Sequence, residues 1–208
     1  MTDNALSLES MTLKLTPRRP ALLEGFDNTL DVLLQVQAPA VAPAGHQRSP
    51  LNLALVLDRS GSMNGRPLRE AVRCARAMIE RLRDDDRAAL VVYDDQIDTL
   101  APSLTLADKT LFYRALDTID SGGCTDLHGG WLQGAQEVAA HVRADTLSRV
   151  LLLSDGQANA GLTDPDRIAS QCAELAAAAV STSTYGLGRD FNEELMDMMA
   201  RAGHGSAY

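Results

Sequence analysis

The chain lacks any apolar stretch near the ~20 residues of a membrane-spanning helix. Its start, MTDNALSLES, has neither the basic segment nor the apolar core of a signal peptide. A cytoplasmic location is therefore expected. There is no contiguous basic run and the net charge is −9, which argues against nucleic acid or an anionic membrane surface as partner, since both need clustered Lys and Arg. Cysteine is scarce. Cys74, Cys124 and Cys172 are widely spaced and show no C-x-x-C pattern, so reduced structural thiols are expected rather than a disulfide framework. Neither a G-x-x-x-x-G-K-[ST] phosphate loop nor a G-x-S-x-G nucleophile elbow occurs, which removes two common enzyme classes.

What remains is a chain of 208 residues, 45% hydrophobic and 23% charged, with ample length to bury a core. Two regions differ in pattern. In MTLKL and TLDVLLQVQ, apolar residues (Met11, Leu13 and Leu15; then Leu30, Val32, Leu34 and Val36) alternate with period two, as in half-buried antiparallel strands. A Pro, Ala and Gly-rich stretch from Ala38 to Pro50 reads as a linker, so residues 1–48 are expected to form an N-terminal β segment.

Residues 49–208 alternate apolar runs with amphipathic helical patterns, the signature of βαβ crossovers in a doubly wound α/β fold with a mainly parallel sheet. The predicted strands are Leu51 to Asp58, Ala88 to Asp94, Val150 to Ser154 and Ser181 to Leu187, with an edge candidate near Ile97 to Leu100. Five helices are expected between or after them, on the faces beginning at Leu68, Phe112, Trp131 and Ile168, and from Asn192 to Gly203. The final GHGSAY falls where a further strand is expected, which suggests truncation before the last strand.

In such a sheet ligands bind beyond the carboxyl ends of the strands, where strand order reverses. Asp58 closes the first strand of this region in LALVLDRSGSM, and Asp155 follows the fourth in RVLLLSDGQAN. Between them SGGCTDL offers Thr125 in a Gly-rich loop. Asp58, Ser60, Ser62, Thr125 and Asp155 supply only oxygen, the donor set of a hard cation such as Mg²⁺, with Mn²⁺ as substitute; zinc prefers nitrogen and sulfur. Average composition produces D-x-S-x-S in roughly one chain in twenty of this length. Ser60 and Ser62 could simply cap the next helix, and Asp155 with Gly156 could be an ordinary turn. Joint occurrence at three strand-end loops is what carries the reading.

In DRSGSM, GGCTDL and LLLSDGQAN the chain resembles the von Willebrand factor type A domain family, from Leu51 to Tyr208. They look like the metal ion-dependent adhesion site, the threonine loop and the second aspartate motif of that family, and Met63 after the second Ser together with LSDG brings the chain closer to its bacterial intracellular members than to animal integrins. The N-terminal β segment, residues 1–48, resembles the strands that precede the domain in certain bacterial members, and on that resemblance is part of an incomplete β-sandwich. The resemblance implies that Ser60, Ser62 and Thr125 ligate directly or through water, with Asp58 and Asp155 in hydrogen-bonded or water-mediated roles. Mg²⁺ is the implied cation, Mn²⁺ or Ca²⁺ substitutes. A partner protein would supply an Asp or Glu to complete the site. The function this implies is a non-enzymatic protein-binding module, an adaptor of a larger intracellular assembly such as an AAA+ ATPase chaperone. The alternatives are a metal-dependent phosphohydrolase and a structural domain with a stabilising metal. A haloacid dehalogenase-like phosphatase would carry a second Asp where this chain has Ser60.

Other residues have plainer readings. Asp84, Asp85, Asp86, Asp94, Asp95 and Asp98 read as a solvated acidic face. His128 reads as a helix-start residue rather than part of a metal site, Trp131 as core rather than an exposed anchor, and His46, His141 and His204 have no ligand-like spacing.

Overall fold

Residue patterns of period two and period 3.6 sort the chain into two units, 1–48 and 49–208, in a computed structural model that describes residues 6–8, 11–19, 21, 24–25, 27–38, 48–188 and 191–208. Most of the expected linker, together with His46, lies outside the described residues. In the first unit β1 (Leu6–Leu8), β2 (Met11–Pro17) and β3 (Val32–Gln37) form an antiparallel sheet in that order. The register sets Leu13 opposite Val36 and Leu15 opposite Leu34. Alternation therefore gathers these apolar side chains on one face, where Leu15, Leu34 and Val36 remain more than half exposed.

The second unit is built on β4 (Leu51–Asp58), whose residues from Asn52 onward are all buried. With it run β5 (Arg87–Tyr93), β6 (Ile97–Thr105), β7 (Leu147–Ser154) and β8 (Val180–Gly186), in the sheet order β6-β5-β4-β7-β8. All pairings are parallel except the β5–β6 edge. The continuous apolar character of β4 follows from having both faces covered. Leu53, Leu55 and Leu57 face α1 (Arg66–Arg81) and α2 (Thr110–Leu116). Ala54 and Val56 face α3 (Leu127–Ala139), α4 (Pro165–Ala177) and α5 (Glu193–Ala202). The doubly wound α/β architecture expected from the sequence is the one observed.

Helix ends follow local chemistry. Asp164 caps α4 by accepting from the Asp166 and Arg167 N–H groups, and Asn192 caps α5 by accepting from Leu195 N–H. Two helices end earlier than their apolar faces suggest. After α2 the Thr118 hydroxyl donates to the Ala115 carbonyl at 2.8 Å, a local bond that competes with helix continuation and leaves Ile119 in the following loop. After α3, N–H groups of His141 and Val142 turn back onto Val138 and Ala139 in tighter three-residue steps. At the other end of the chain, Thr184 bridges in parallel to Ala207, and Tyr208 accepts from Gly186 N–H at 2.9 Å. The final residues thus lie along β8.

Close packing of α3 positions the carboxyl end of β5. A Cβ added at Gly130 would overlap the Tyr93 ring, and one at Gly134 would overlap Val56. These two glycines, one helical turn apart, let α3 sit directly on β4 and β5. Trp131 between them is fully buried and donates its indole N–H to Thr182 Oγ1 at 3.0 Å. It belongs to the core, as its helical stripe implies.

Candidate metal centre

At the tip of β4 the carboxylate of Asp58 gathers three donors, one from the turn that follows it and two from the neighbouring strands. Asp58 is fully buried. Its Oδ1 accepts from Ser60 N–H at 2.8 Å, closing an Asx turn. Its Oδ2 accepts from the Ser154 hydroxyl at 2.6 Å and the Tyr93 hydroxyl at 3.3 Å. Tyr93 is the register partner of Asp58 on β5. Burial, and next the charge of Asp58, push its phenol well above the ordinary tyrosine value, so the ring remains a donor.

The Asx turn leads into a single 3-10 turn, Gly61–Met63, anchored by the fully buried Met63 side chain. That turn holds Ser60 Oγ and Ser62 Oγ 3.2 Å apart. Ser60 is buried and Ser62 exposed, so the pair forms a hydroxyl step from the core to the surface.

Residues 121–126 are stitched to this turn. Gly61 N–H donates to the Gly123 carbonyl at 3.0 Å, and Gly122 N–H to the Arg59 carbonyl at 2.7 Å. Arg59 in turn donates to Asp94 at 3.2 Å and Asp98 at 2.7 Å, while Gly123 N–H reaches Asp94 at 3.3 Å. Thr125, also buried, is fixed from the opposite side. Its N–H donates to Asn159 Oδ1 at 2.8 Å, and its carbonyl accepts from the Asn159 and Ala160 N–H groups at 3.1 Å.

Asn159 belongs to the loop after β7 that also carries Asp155. There Asp155 Oδ1 accepts from Gln157 N–H at 3.1 Å, and its carbonyl accepts from Asn192 N–H at 2.8 Å, at the start of α5. Ser154 links this loop back to Asp58. The three loops carrying Asp58, Ser60, Ser62, Thr125 and Asp155 therefore form one hydrogen-bonded assembly at the carboxyl ends of adjacent strands β4 and β7.

The electrostatics are uneven. Burial raises the Asp58 carboxyl above its ordinary value, outweighing the hydrogen bonds from Ser154 and Ser60 that lower it, and the like charge of Asp155 adds to the rise. Asp94 goes the other way. Burial opposes ionisation, but Gln96 N–H and the Arg59 guanidinium more than offset it and its carboxyl is held low. Among the described residues no three His, Cys, Asp or Glu side chains gather as a metal cluster. The centre has two carboxylates, and its other oxygens are hydroxyls, a set that suits a hard cation.

The acidic face expected between Asp84 and Asp98 needs correction. Asp84, Asp85 and Asp95 are exposed, but Asp86 is fully buried and Asp94 nearly so. Asp86 accepts from Leu51 N–H at 2.8 Å and Arg83 N–H at 2.7 Å. Three contributors to the site were not singled out from the sequence. Ser154 and Asn159 lay within the quoted LLLSDGQAN run, and Tyr93 ends the strand beside β4. His128 is in the first turn of α3, with Nε2 2.7 Å from Gln171 Oε1.

Residues 52–208 match the von Willebrand factor type A domain family. An uncharacterised protein of Synechocystis, sll0103, is 32% identical over 177 residues, 83% of this chain and 40% of its own length. The chain spans less than half the length of the curated relatives it matches. A von Willebrand factor type A structure from Catenulispora acidiphila superposes with a TM-score of 0.64 at 15% identity, covering 95% of this chain and 41% of that one. Proximal thread matrix protein 1 of the mussel byssus, solved with a zinc-occupied adhesion motif, gives a TM-score of 0.61 at 16% identity, covering 77% and 44%.

Proposed function

The chain belongs to the von Willebrand factor type A domain family, and on that premise we propose that its site is a metal ion-dependent adhesion centre. It takes Mg²⁺, with Mn²⁺ or Ca²⁺ as substitutes, and binds a partner protein through that partner's Asp or Glu. The observation that carries this reading is the state of Asp58: a buried carboxylate with both oxygens already accepting hydrogen bonds, beside Asp155, below an adjacent pair of serine hydroxyls. Two buried carboxylates side by side repel each other. A divalent cation would relieve that repulsion.

Ser60, Ser62 and Thr125 would hold the cation, with Asp58 orienting the Ser60 turn and Asp155 acting from the β7 side. When bound, the cation supplies an electrophilic point for a partner carboxylate. The chain's own work is to keep those donors fixed. Met63 anchors the serine turn in the core and Asn159 holds Thr125 by both backbone groups. A zinc-occupied motif in the mussel protein supports a cation here, and the all-oxygen donors of this chain favour a harder ion than zinc.

We further read the chain as a binding module and not an enzyme, serving as an adaptor in an intracellular assembly. Its three cysteines are free, which is compatible with a reducing compartment. The test is Mn²⁺ binding followed by electron paramagnetic resonance, together with capture of proteins from cell extract in Mg²⁺ or chelator. Wild-type protein should bind Mn²⁺ and retain a partner only with Mg²⁺, and folded Asp58→Ala should do neither. A folded Asp58→Ala variant that retains the same partner would overturn the reading. Turnover of an aryl phosphate that depends on Asp58 would replace it with a phosphohydrolase, and metal binding with no metal-dependent partner would leave a stabilising ion.

A further inference from the structure

The sequence has no basic run, yet helical spacing builds a basic ridge. Arg66, Arg69, Arg73 and Arg76 recur at intervals of three, four and three residues along α1, which stacks them on one helix face. α1 carries five arginines against Glu70 and Glu80, in a chain whose net charge is −9. The ridge borders a cavity of about 540 Å³ between α1 and the connection after α2, lined by Arg69, Arg73 and Arg76 above apolar Leu68, Val72 and Leu116.

One end of this cavity opens at Asn64 and Gly65, immediately after the serine turn, and its other wall reaches Ser121, just before the Gly122–Thr125 loop. Its lining thus includes residues next in sequence to two of the loops that form the metal centre. Arg69 is exposed and makes no ion pair among the described residues. Arg73 pairs only with Glu70 on the surface, an exposed bond that a ligand easily replaces. Arg76 has two partners, at 2.6 Å from Asp117 and 5.4 Å from the Tyr113 ring centre, and lines the wall beside them.

We propose that this groove seats an acidic, partly apolar peptide segment of the partner, running on from the carboxylate that the metal centre captures. The proposal rests on that metal-centre reading and adds the chemistry of the neighbouring residues. From Arg66 to Arg76 the ridge is ~15 Å long at the α-helical rise, which accommodates about four or five residues of extended chain. Apolar side chains of the segment cover Leu68, Val72 and Leu116, and its Asp or Glu residues meet Arg69 and Arg73. A nucleic-acid backbone fits less well, because Leu68, Val72 and Leu116 in the lining call for apolar side chains that a sugar-phosphate chain does not carry.

The test selects phage-displayed random dodecapeptides on the immobilised chain in Mg²⁺ and measures the winners on wild type and on Arg69→Glu/Arg73→Glu. Mn²⁺ binding is followed separately on both proteins by electron paramagnetic resonance. The expected winners place Asp or Glu next to Leu, Ile or Val, and bind the double variant at least tenfold more weakly while that variant binds Mn²⁺ as wild type does. Absence of enrichment, neutral or basic winners, or affinity unchanged in the double variant overturns the groove proposal and leaves the metal centre standing if Mn²⁺ still binds. Failure of wild type to bind Mn²⁺ overturns the metal centre and the groove with it. Retention of a random RNA pool through the same two arginines, with no peptide enriched, assigns the ridge to nucleic acid and overturns the proposal.

Discussion

At the amino end of the central sheet Asp86 is fully buried, and at the carboxyl end so is Asp58, but the two are accommodated by different donors. Asp86 accepts from backbone N–H groups of Leu51 and Arg83, groups that the chain must satisfy somewhere in any case. It ties the start of β4 to the turn before β5. Asp58 accepts from one backbone N–H and two hydroxyls and lies beside a second carboxylate. The first arrangement serves only the fold. The second leaves negative charge unbalanced at the place where an open α/β sheet presents its ligands, and that imbalance is what a cation can use.

Substitutions at the two ends sharpen this contrast. The largest expected loss of stability is for Asp86→Ala, which removes a buried carboxylate that accepts from two part-buried N–H groups. At ~1.5–3 kcal/mol for each bond to a charged group, urea unfolding should show about 3–6 kcal/mol of destabilisation. The fraction that stays folded should bind Mn²⁺ normally. Asp58→Asn comes next and acts on a different quantity. Mn²⁺ affinity should fall at least a hundredfold, about 2.7 kcal/mol, with metal-free stability changed by no more than about 1 kcal/mol. If Asp58→Asn unfolds the domain as readily as Asp86→Ala, the distinction between the two ends fails. Saturating Mg²⁺ at about a hundred times its dissociation constant should stabilise wild type by ~2.7 kcal/mol, seen as a raised melting temperature that Asp58→Asn does not share.

A smaller effect separates the aspartates by the sign of their pH response. Asp58 sits above its ordinary value of 3.8 in the folded chain. Its contribution to metal-free stability is fully present below that value and is lost as pH rises through the raised one. Asp94 is held below 3.8. Its contribution is present above the ordinary value and is lost as pH falls through the lowered one. Unfolding free energies of wild type minus Asp58→Asn should therefore decline with rising pH, and those of wild type minus Asp94→Asn should climb. Parallel slopes would contradict the assignment. The smallest effect belongs to the first unit, where Leu34→Ser replaces a residue 56% exposed and should shift stability by less than about 0.5 kcal/mol.

Much of this architecture was legible in residue order. β4 reads as a buried strand because both its faces carry apolar residues, and α1 reads as a helix from Leu68, Ala71, Ala75 and Ile79. Asp58, Ser60, Ser62, Thr125 and Asp155 stand out as oxygen donors at the ends or just before the starts of such elements. What was not legible depends on pairing between elements. Asp86 and Asp94 look like members of a solvated acidic face until the turns that bury them are known. Tyr93 acquires its role only from lying opposite Asp58 in the β4–β5 register. The arginine ridge is invisible as a run, since its members become neighbours only once α1 is wound.

Gly130 and Gly134 donate nothing to the metal centre, and each would appear neutral in a catalogue of its polar contacts. Yet any side chain at Gly130 meets the ring whose hydroxyl supports Asp58. A saturation mutagenesis map scored on partner capture would therefore show Gly130 as intolerant as Asp58 itself. Without the packing of α3 in view, such a map would draw the borders of the site around a residue that offers no side-chain oxygen to a cation.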